Sequence, residues 1–304
     1  MPTAPRTAHT AGLARLLGAA DHELRLAHHV VRRDLSAAFF PALIFALAAR
    51  VADGGGLAPG ALALAACAAY FGLFIYGFCL DNQIRGVDED RLNKPDRAIP
   101  AGRLSLDGAR RRRTAVLALF VALGLALGVP LQSAAWVALT ALNHHAGWDR
   151  HWFTKNIGVV GLGAIAQLSA AWTIAAPAAP CPWTWILALA ATLGVAMCIQ
   201  DFRDVAGDAL LRRRTLPLAI GEIPARALCA IALALLPLVL HAALIAAGGV
   251  PPLELLFDAT VTAFCAAIAH RVWTRRTPRD DDRTYRLLPR LYCAELAFAA
   301  LLIV

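Results

Sequence analysis

Residues 183–208 read Trp183-Thr-Trp-Ile-Leu-Ala-Leu-Ala-Ala-Thr-Leu-Gly-Val-Ala-Met-Cys-Ile-Gln-Asp-Phe-Arg-Asp-Val-Ala-Gly-Asp208, an apolar run that ends directly in three aspartates. Its apolar part has the roughly 17–25 residues that a helix needs to cross a bilayer. The same order recurs upstream, where the run at 60–80 is followed by Asp81-Asn-Gln-Ile-Arg-Gly-Val-Asp-Glu-Asp90. Carboxylates packed this densely at a membrane edge, with arginines just beyond them, suit divalent metal ions that hold a polyanion such as a diphosphate.

The rest of the chain has the same character. Of its 304 residues, 59% are hydrophobic and 16% charged, and the mean hydropathy is +0.59. A soluble domain needs far less apolar sequence, so an all-α, multi-span membrane protein is expected. Runs at 35–51, 60–80, 114–132, 133–146, 156–176, 183–200, 226–247, 252–270 and 287–304 predict nine transmembrane helices, the fourth interrupted by Asn143, His144 and His145. Residues 1–34 are polar and contain arginines but no apolar core of signal-peptide length. They read as an amphipathic lead-in on the inner leaflet, and the first span is expected to stay in the membrane. Residues 1–304 are expected to form a single membrane domain, with the acidic motifs in loops at 81–113 and 201–226.

Charge fixes an expected orientation. Lys and Arg fall before the first span and in 81–113, 147–155, 201–226 and 271–290, whereas the alternate loops near 52–59, 128–134, 177–182 and 248–252 have none. The positive-inside rule then predicts a multi-pass cell-membrane protein with its N-terminus and both acidic segments cytoplasmic and its C-terminus outward. Topology, anionic lipid and an anionic substrate account for the net charge of +8, so no nucleic-acid partner is expected. No obligate protein partner is implied. The seven cysteines form no CxxC pair and read as small apolar filler.

The chain also contains a repeat. Each acidic segment is followed by an Arg-containing stretch and then by an apolar residue with proline, Ile99-Pro100 in one case and Leu216-Pro217 in the other. Duplicated membrane bundles commonly hold their ligand between the halves, so each half is expected to supply one segment to a shared site. At helical spacing Asp201, Asp204 and Asp208 share one face, as do Asn82, Gly86, Glu89 and Asp90, while Asp88 points elsewhere. Facing helices of this kind bridge Mg²⁺ through oxygen ligands and leave metal positions open for phosphate oxygens. The chemistry favoured is departure of diphosphate, with Lys94, Arg97, Lys155, Arg203 and Arg213 as candidates to hold its remaining oxygens. Lys94 and Lys155 are the only two lysines of the chain.

Asn82, Asp90, Asn93-Lys-Pro95, Arg97 and Ile99-Pro100-Ala-Gly102, together with Asp201-x-x-Asp204-x-x-Gly-Asp208 and Arg213-Arg-Thr-Leu-Pro217, resemble the two signature regions of the UbiA superfamily of membrane prenyltransferases. The resemblance implies a nine-helix bundle in two similar halves, whose central cavity binds an isoprenyl diphosphate, of C10 to C20, with Mg²⁺ beneath a cytosolic cap. On this basis Asn82, Glu89, Asp90, Asp201, Asp204 and Asp208 would hold two or more Mg²⁺ ions, Asp90, Asp201 and Asp204 being catalytic. Asn143 and Asn156 would hydrogen-bond near the diphosphate. Two aspartates of the usual first signature are here Gln83 and Gly86, with Glu89 one turn on as a replacement. That form, with Asp149-Arg-His-Trp-Phe-Thr-Lys-Asn156, looks most like the UbiA-type membrane terpene cyclases. A cyclase must fold the isoprenyl chain and shield its cation, for which Tyr70 and Phe74, and also Tyr76, Trp152, Phe153 and Trp172, are candidate walls. The close alternative is prenyl transfer to an aromatic or other acceptor. A carrier of lipid diphosphates is a third reading, disfavoured because the acidic residues gather at one side of the bilayer.

Overall fold

A computed structural model describes residues 6–54, 56–245 and 251–303. Residues 1–5 of the lead-in, the end of the expected seventh span, most of the loop after it, Gly55 and Val304 lie outside them. The described residues form α1 (Arg6–Val31), α2 (Leu35–Ala52), α3 (Leu57–Arg85), α4 (Val87–Asn93), α5 (Leu106–Ala126), α6 (Pro130–His145), α7 (Leu162–Ala175), α8 (Trp183–Ala196), α9 (Val205–Leu210), α10 (Leu216–Ile220), α11 (Glu222–Leu240), α12 (Pro251–Thr274), α13 (Pro278–Tyr285) and α14 (Leu288–Leu302). A π-helical stretch, Phe153–Gly161, leads into α7, and a 3₁₀ stretch, Met197–Asp204, carries α8 on into α9. Among the described residues there is no β-strand, only one isolated bridge between His151 and Arg214.

Among the described residues, six helical stretches are long and apolar enough to cross a membrane: Leu35–Ala52, Pro59–Arg85, Phe153–Ala175, Trp183–Leu210, Glu222–Ile245 and Pro251–Thr274. Within a bilayer the backbone must satisfy its own hydrogen bonds, which uninterrupted helices do. The chain is a multi-pass membrane protein. The other three expected spans correspond to shorter or more polar helices. α6 and α14 have 16 and 15 residues, and α5 carries Arg110–Arg113 in its first turns. The run at 114–132 is not one helix: α5 ends at Ala126, and Pro130, whose ring suits a first helical turn, starts α6. The acidic segments sit in helical extensions, with α3 running on to Arg85 and α8 prolonged through Asp208, rather than in open loops.

α2 packs on α3, α7 and α14, so helices from near the two ends of the chain lie side by side. α3 packs on α5, and α11 on α12. The lead-in is tied to the acidic end of this bundle. Leu26, Val30 and Val31 of α1 are buried, Gln83 donates to the Val30 carbonyl at 3.1 Å, and Arg32 and Arg33 reach Asp96 at 2.7 and 2.6 Å. At the same end Arg226 of α11 meets both oxygens of Asp281 of α13 at 2.9 and 2.8 Å, each residue 1% exposed. It also donates to the Val272 carbonyl and lies over the Phe202 ring. All seven cysteines are free.

Candidate active site

The last turn of α3 and the short α4 sort the first acidic segment by face. Asp81 turns to α5, where Arg113 reaches it at 2.6 Å; Gln83 turns to α1; Asp88 is 87% exposed and pairs with Arg91. Asn82, Gly86, Glu89 and Asp90 all line one cavity of about 310 Å³. Both oxygens of Asp90, which is buried, accept from one nitrogen of Arg97 at 2.9 and 2.7 Å.

Asp204 and Asp208 of the second segment line the same cavity. Arg213 joins the two segments: its guanidinium reaches Asp208 at 2.9 Å, Glu89 at 3.2 Å and Asp149 at 3.3 Å. Its loop is fixed by backbone bonds, Arg214 N–H to the Arg150 carbonyl at 2.6 Å and Trp152 N–H to the Arg214 carbonyl at 3.0 Å. Arg212 next to it takes φ +53°, a sparsely populated conformation for a residue other than glycine, which is held only by such surrounding constraints. Arg203 donates to Asp204 at 3.3 Å and to Asp282 at 2.9 Å and lies 4.1 Å above the Tyr285 ring centre.

Twelve expected residues therefore meet around one space: Asn82, Glu89, Asp90, Lys94, Arg97, Asn143, Lys155, Arg203, Asp204, Asp208, Arg213 and Phe74. Asp201, Asn156 and Tyr70 do not line it. Asp201 is wholly buried, with one oxygen taken by the Lys155 ammonium at 2.6 Å and the other by the Asn156 amide at 3.2 Å. Buried among these neighbours, Asp201 does not reach the cavity wall. Asn156 in turn accepts from Gln200 at 2.7 Å. α8 reaches this cluster because Gly194 has no side chain; a Cβ there would stand 3.3 Å from the Asn156 carbonyl oxygen. Tyr70 turns to α6, its hydroxyl 2.8 Å from that of Ser133 and its ring against Phe71 and Phe120. Of the other candidate walls, Trp172 packs on Phe45 and Phe153 is 51% exposed; neither they nor Tyr76 and Trp152 line the cavity.

The cavity is polar at one end and apolar at the other. Below the charged groups its wall is Phe74, Phe78 and Trp136 on one side and Val159, Val160, Ala164, Leu193 and Met197 on the other. At the polar end, burial first and then the neighbouring Arg97 charge lower the pKa of the Lys94 ammonium. The donor set fits a hard divalent cation: oxygen ligands dominate, and the second carboxylate oxygen of Asp208 is buried without a hydrogen-bond partner among the described residues. No three carboxylate, His or Cys groups among those residues converge closely enough to hold an ion alone. Ligands from a bound polyanion would complete such a site.

The model of the UbiA prenyltransferase family matches residues 38–298. The chain belongs to this family. It is 40% identical over 275 residues to the somaliensene A/B synthase of Streptomyces somaliensis, covering 90% of this chain and 92% of that protein. Two proteins of Hericium erinaceus are also similar: the diterpene cyclase eriG, 38% identical over 75% of this chain and 72% of its own, and the polyprenyl transferase eriF, 33% identical over 92% and 95%. Among solved structures, a UbiA homologue from Archaeoglobus fulgidus bound to GPP and Mg²⁺ has the same fold, with a TM-score of 0.62 at 18% identity over 91% of this chain and 99% of that one.

Within this UbiA fold several cavity residues escape a reading of the two signatures. Asp149 lies in a stretch quoted for its resemblance, and its contact with Arg213 gives it a place at the polar end. His144, 5.2 Å from the Phe78 ring centre, lines the wall although adjacent histidines read as a polar break. Tyr285, Pro289 and Tyr292 reach the cavity from α13 and α14, far from both signatures. No local pattern in the sequence marks them.

Proposed function

We propose that this UbiA enzyme ionises an isoprenyl diphosphate in a Mg²⁺-dependent reaction and acts as a terpene cyclase, releasing diphosphate and a cyclic hydrocarbon or alcohol. The observation that carries this reading is a single cavity with both acidic segments and their arginines at one end and aromatic walls at the other. Similarity to a synthase over nine-tenths of the chain supports cyclisation; similarity to a polyprenyl transferase over as much of it supports prenyl transfer to an acceptor as the second reading.

Asn82, Glu89, Asp90, Asp204 and Asp208 would hold Mg²⁺, which when bound neutralises the charge that builds on the leaving diphosphate. Lys94, Arg97, Lys155, Arg203 and Arg213 hold the diphosphate oxygens, with Asn143 hydrogen-bonding beside them. Asp201 and Asn156 position Lys155 rather than meet the substrate. The carbon–oxygen bond breaks with its electron pair leaving on the diphosphate. Phe74, Phe78 and Trp136 then enclose the cation, their ring faces stabilising it until a proton is lost or water adds. We further place nine membrane passes in two similar halves within one domain, with the N-terminus and the acidic end cytoplasmic, as the loop charges favour.

Phosphorus NMR of geranyl, farnesyl and geranylgeranyl diphosphates, each with purified protein in detergent, tests the ionisation. Inorganic diphosphate is expected with Mg²⁺ and not with EDTA; substrate left intact with Mg²⁺ at all three lengths, with or without a phenolic acceptor, overturns the ionisation. A pH series adds a second prediction. Because the Lys94 pKa is lowered, its charge is lost as pH rises through a value below that of an ordinary lysine, and KM is expected to climb over that range. In Lys94→Arg this limb is expected to vanish, since guanidinium stays protonated; an identical limb in the variant removes Lys94 from the diphosphate site.

A further inference from the structure

Beside the main cavity lies a second one of about 90 Å³, lined by α3, α5 and α6. Phe74, Phe78 and Trp136 line both. Their rings form the partition: Phe74 and Trp136 are 3.9 Å apart between centres, Phe74 and Phe78 6.1 Å. On the far side the walls are mostly aliphatic, including Leu73, Val116, Leu117 and Val137, and Asp81 paired with Arg113 stands at one end.

Trp136 is the bulkiest ring of this partition. Its indole N–H is buried without a hydrogen-bond partner among the described residues, so packing alone holds the ring, although a buried tryptophan usually finds a partner. On α7 the ring rests against Gly163, where a Cβ would approach it to 2.7 Å. Along α6 it lies seven residues from Asn143, about 10 Å deeper than the charged end. An isoprenyl chain whose diphosphate meets that end runs down the cavity towards this ring.

We propose that the second cavity is a subsite for the far end of the isoprenyl chain, and that Trp136 decides how much chain the enzyme accepts by shutting it off. This rests on the isoprenyl diphosphate reading above. Trp136→Ala joins the two spaces, whereas Thr140→Phe, on the wall of the second one only, fills it without touching the first.

The test measures kcat/KM for C10, C15, C20 and C25 isoprenyl diphosphates in four proteins: wild type, Trp136→Ala, Thr140→Phe and the double variant. Non-reacting thiolodiphosphate analogues of the same lengths are titrated alongside. Trp136→Ala is expected to raise the preference for the longest substrate over the shortest by about tenfold or more, in turnover and in analogue binding alike. Adding Thr140→Phe is expected to cancel that gain, while Thr140→Phe alone keeps the wild-type profile. An unchanged length profile in a folded Trp136→Ala protein, or a gain that survives Thr140→Phe, overturns the subsite. Wild type that converts and binds no chain length fails earlier, at the proposed function itself.

Discussion

Asp208→Asn is expected to lower the rate of diphosphate release by about 10³-fold while the protein stays folded in the membrane. The carboxylate is 1% exposed, gives one oxygen to Arg213 and keeps the other without a partner among the described residues. Asparagine preserves its shape and removes its charge, so the loss reports the charge at the diphosphate end. Asp90→Asn is expected to act alike, since it removes the charge that fixes Arg97 at 2.7 Å. Asp88→Asn is the control: it lies in the same dense segment but is 87% exposed, and it is expected to change turnover less than twofold, on the order of what a surface charge contributes. Phosphorus NMR under saturating substrate reads all three. Equal rates for Asp208→Asn and wild type would remove this carboxylate from the chemistry.

Arg226→Ala is expected to cost about 3–5 kcal/mol of stability, because it leaves the Asp281 carboxylate charged, buried and alone. The effect is structural in origin but close to the site, since the neighbouring Asp282 holds Arg203 at 2.9 Å and Phe202 packs under the guanidinium. Pairing Arg226→Met with Asp281→Leu is expected to recover most of the loss, as apolar replacement of both partners leaves no charge stranded. Thermal unfolding in detergent measures both variants. A single variant as stable as wild type would mean that water reaches Asp281.

The parts of the site that follow continuous helical spacing were legible from the sequence. Asn82 of α3 and Glu89 and Asp90 of α4 line the cavity with Gly86 between them, because backbone bonds from Gly86 N–H to the Asn82 carbonyl and from Asp90 N–H to the Gly86 carbonyl keep the helical register across the joint. Asp201 has the same credentials by spacing as Asp204 and Asp208 but lies behind Lys155 and Asn156, which approach from a π-helical stretch some 45 residues away in sequence. Whether a carboxylate faces ligand or a neighbouring ammonium depends on that packing. Tyr70 was drawn off in the same way by Ser133. Tyr285 joins because α13 packs on the Met197–Asp204 stretch, and Tyr292 because α14 closes against α2, a contact between opposite ends of the chain. Membrane character was plain from composition, whereas helix limits such as Ala126 and Pro130 depended on local turn chemistry that a hydropathy run averages away.

Incubation of the purified protein with geranyl, farnesyl and geranylgeranyl diphosphates and Mg²⁺, without any acceptor, followed by gas chromatography and mass detection of the extract, tests cyclisation most directly. A cyclic terpene hydrocarbon or alcohol that disappears with EDTA is the predicted result. Substrate recovered intact at every chain length, from a protein that still binds it when Mg²⁺ is present, would contradict the cyclase and leave prenyl transfer in its place.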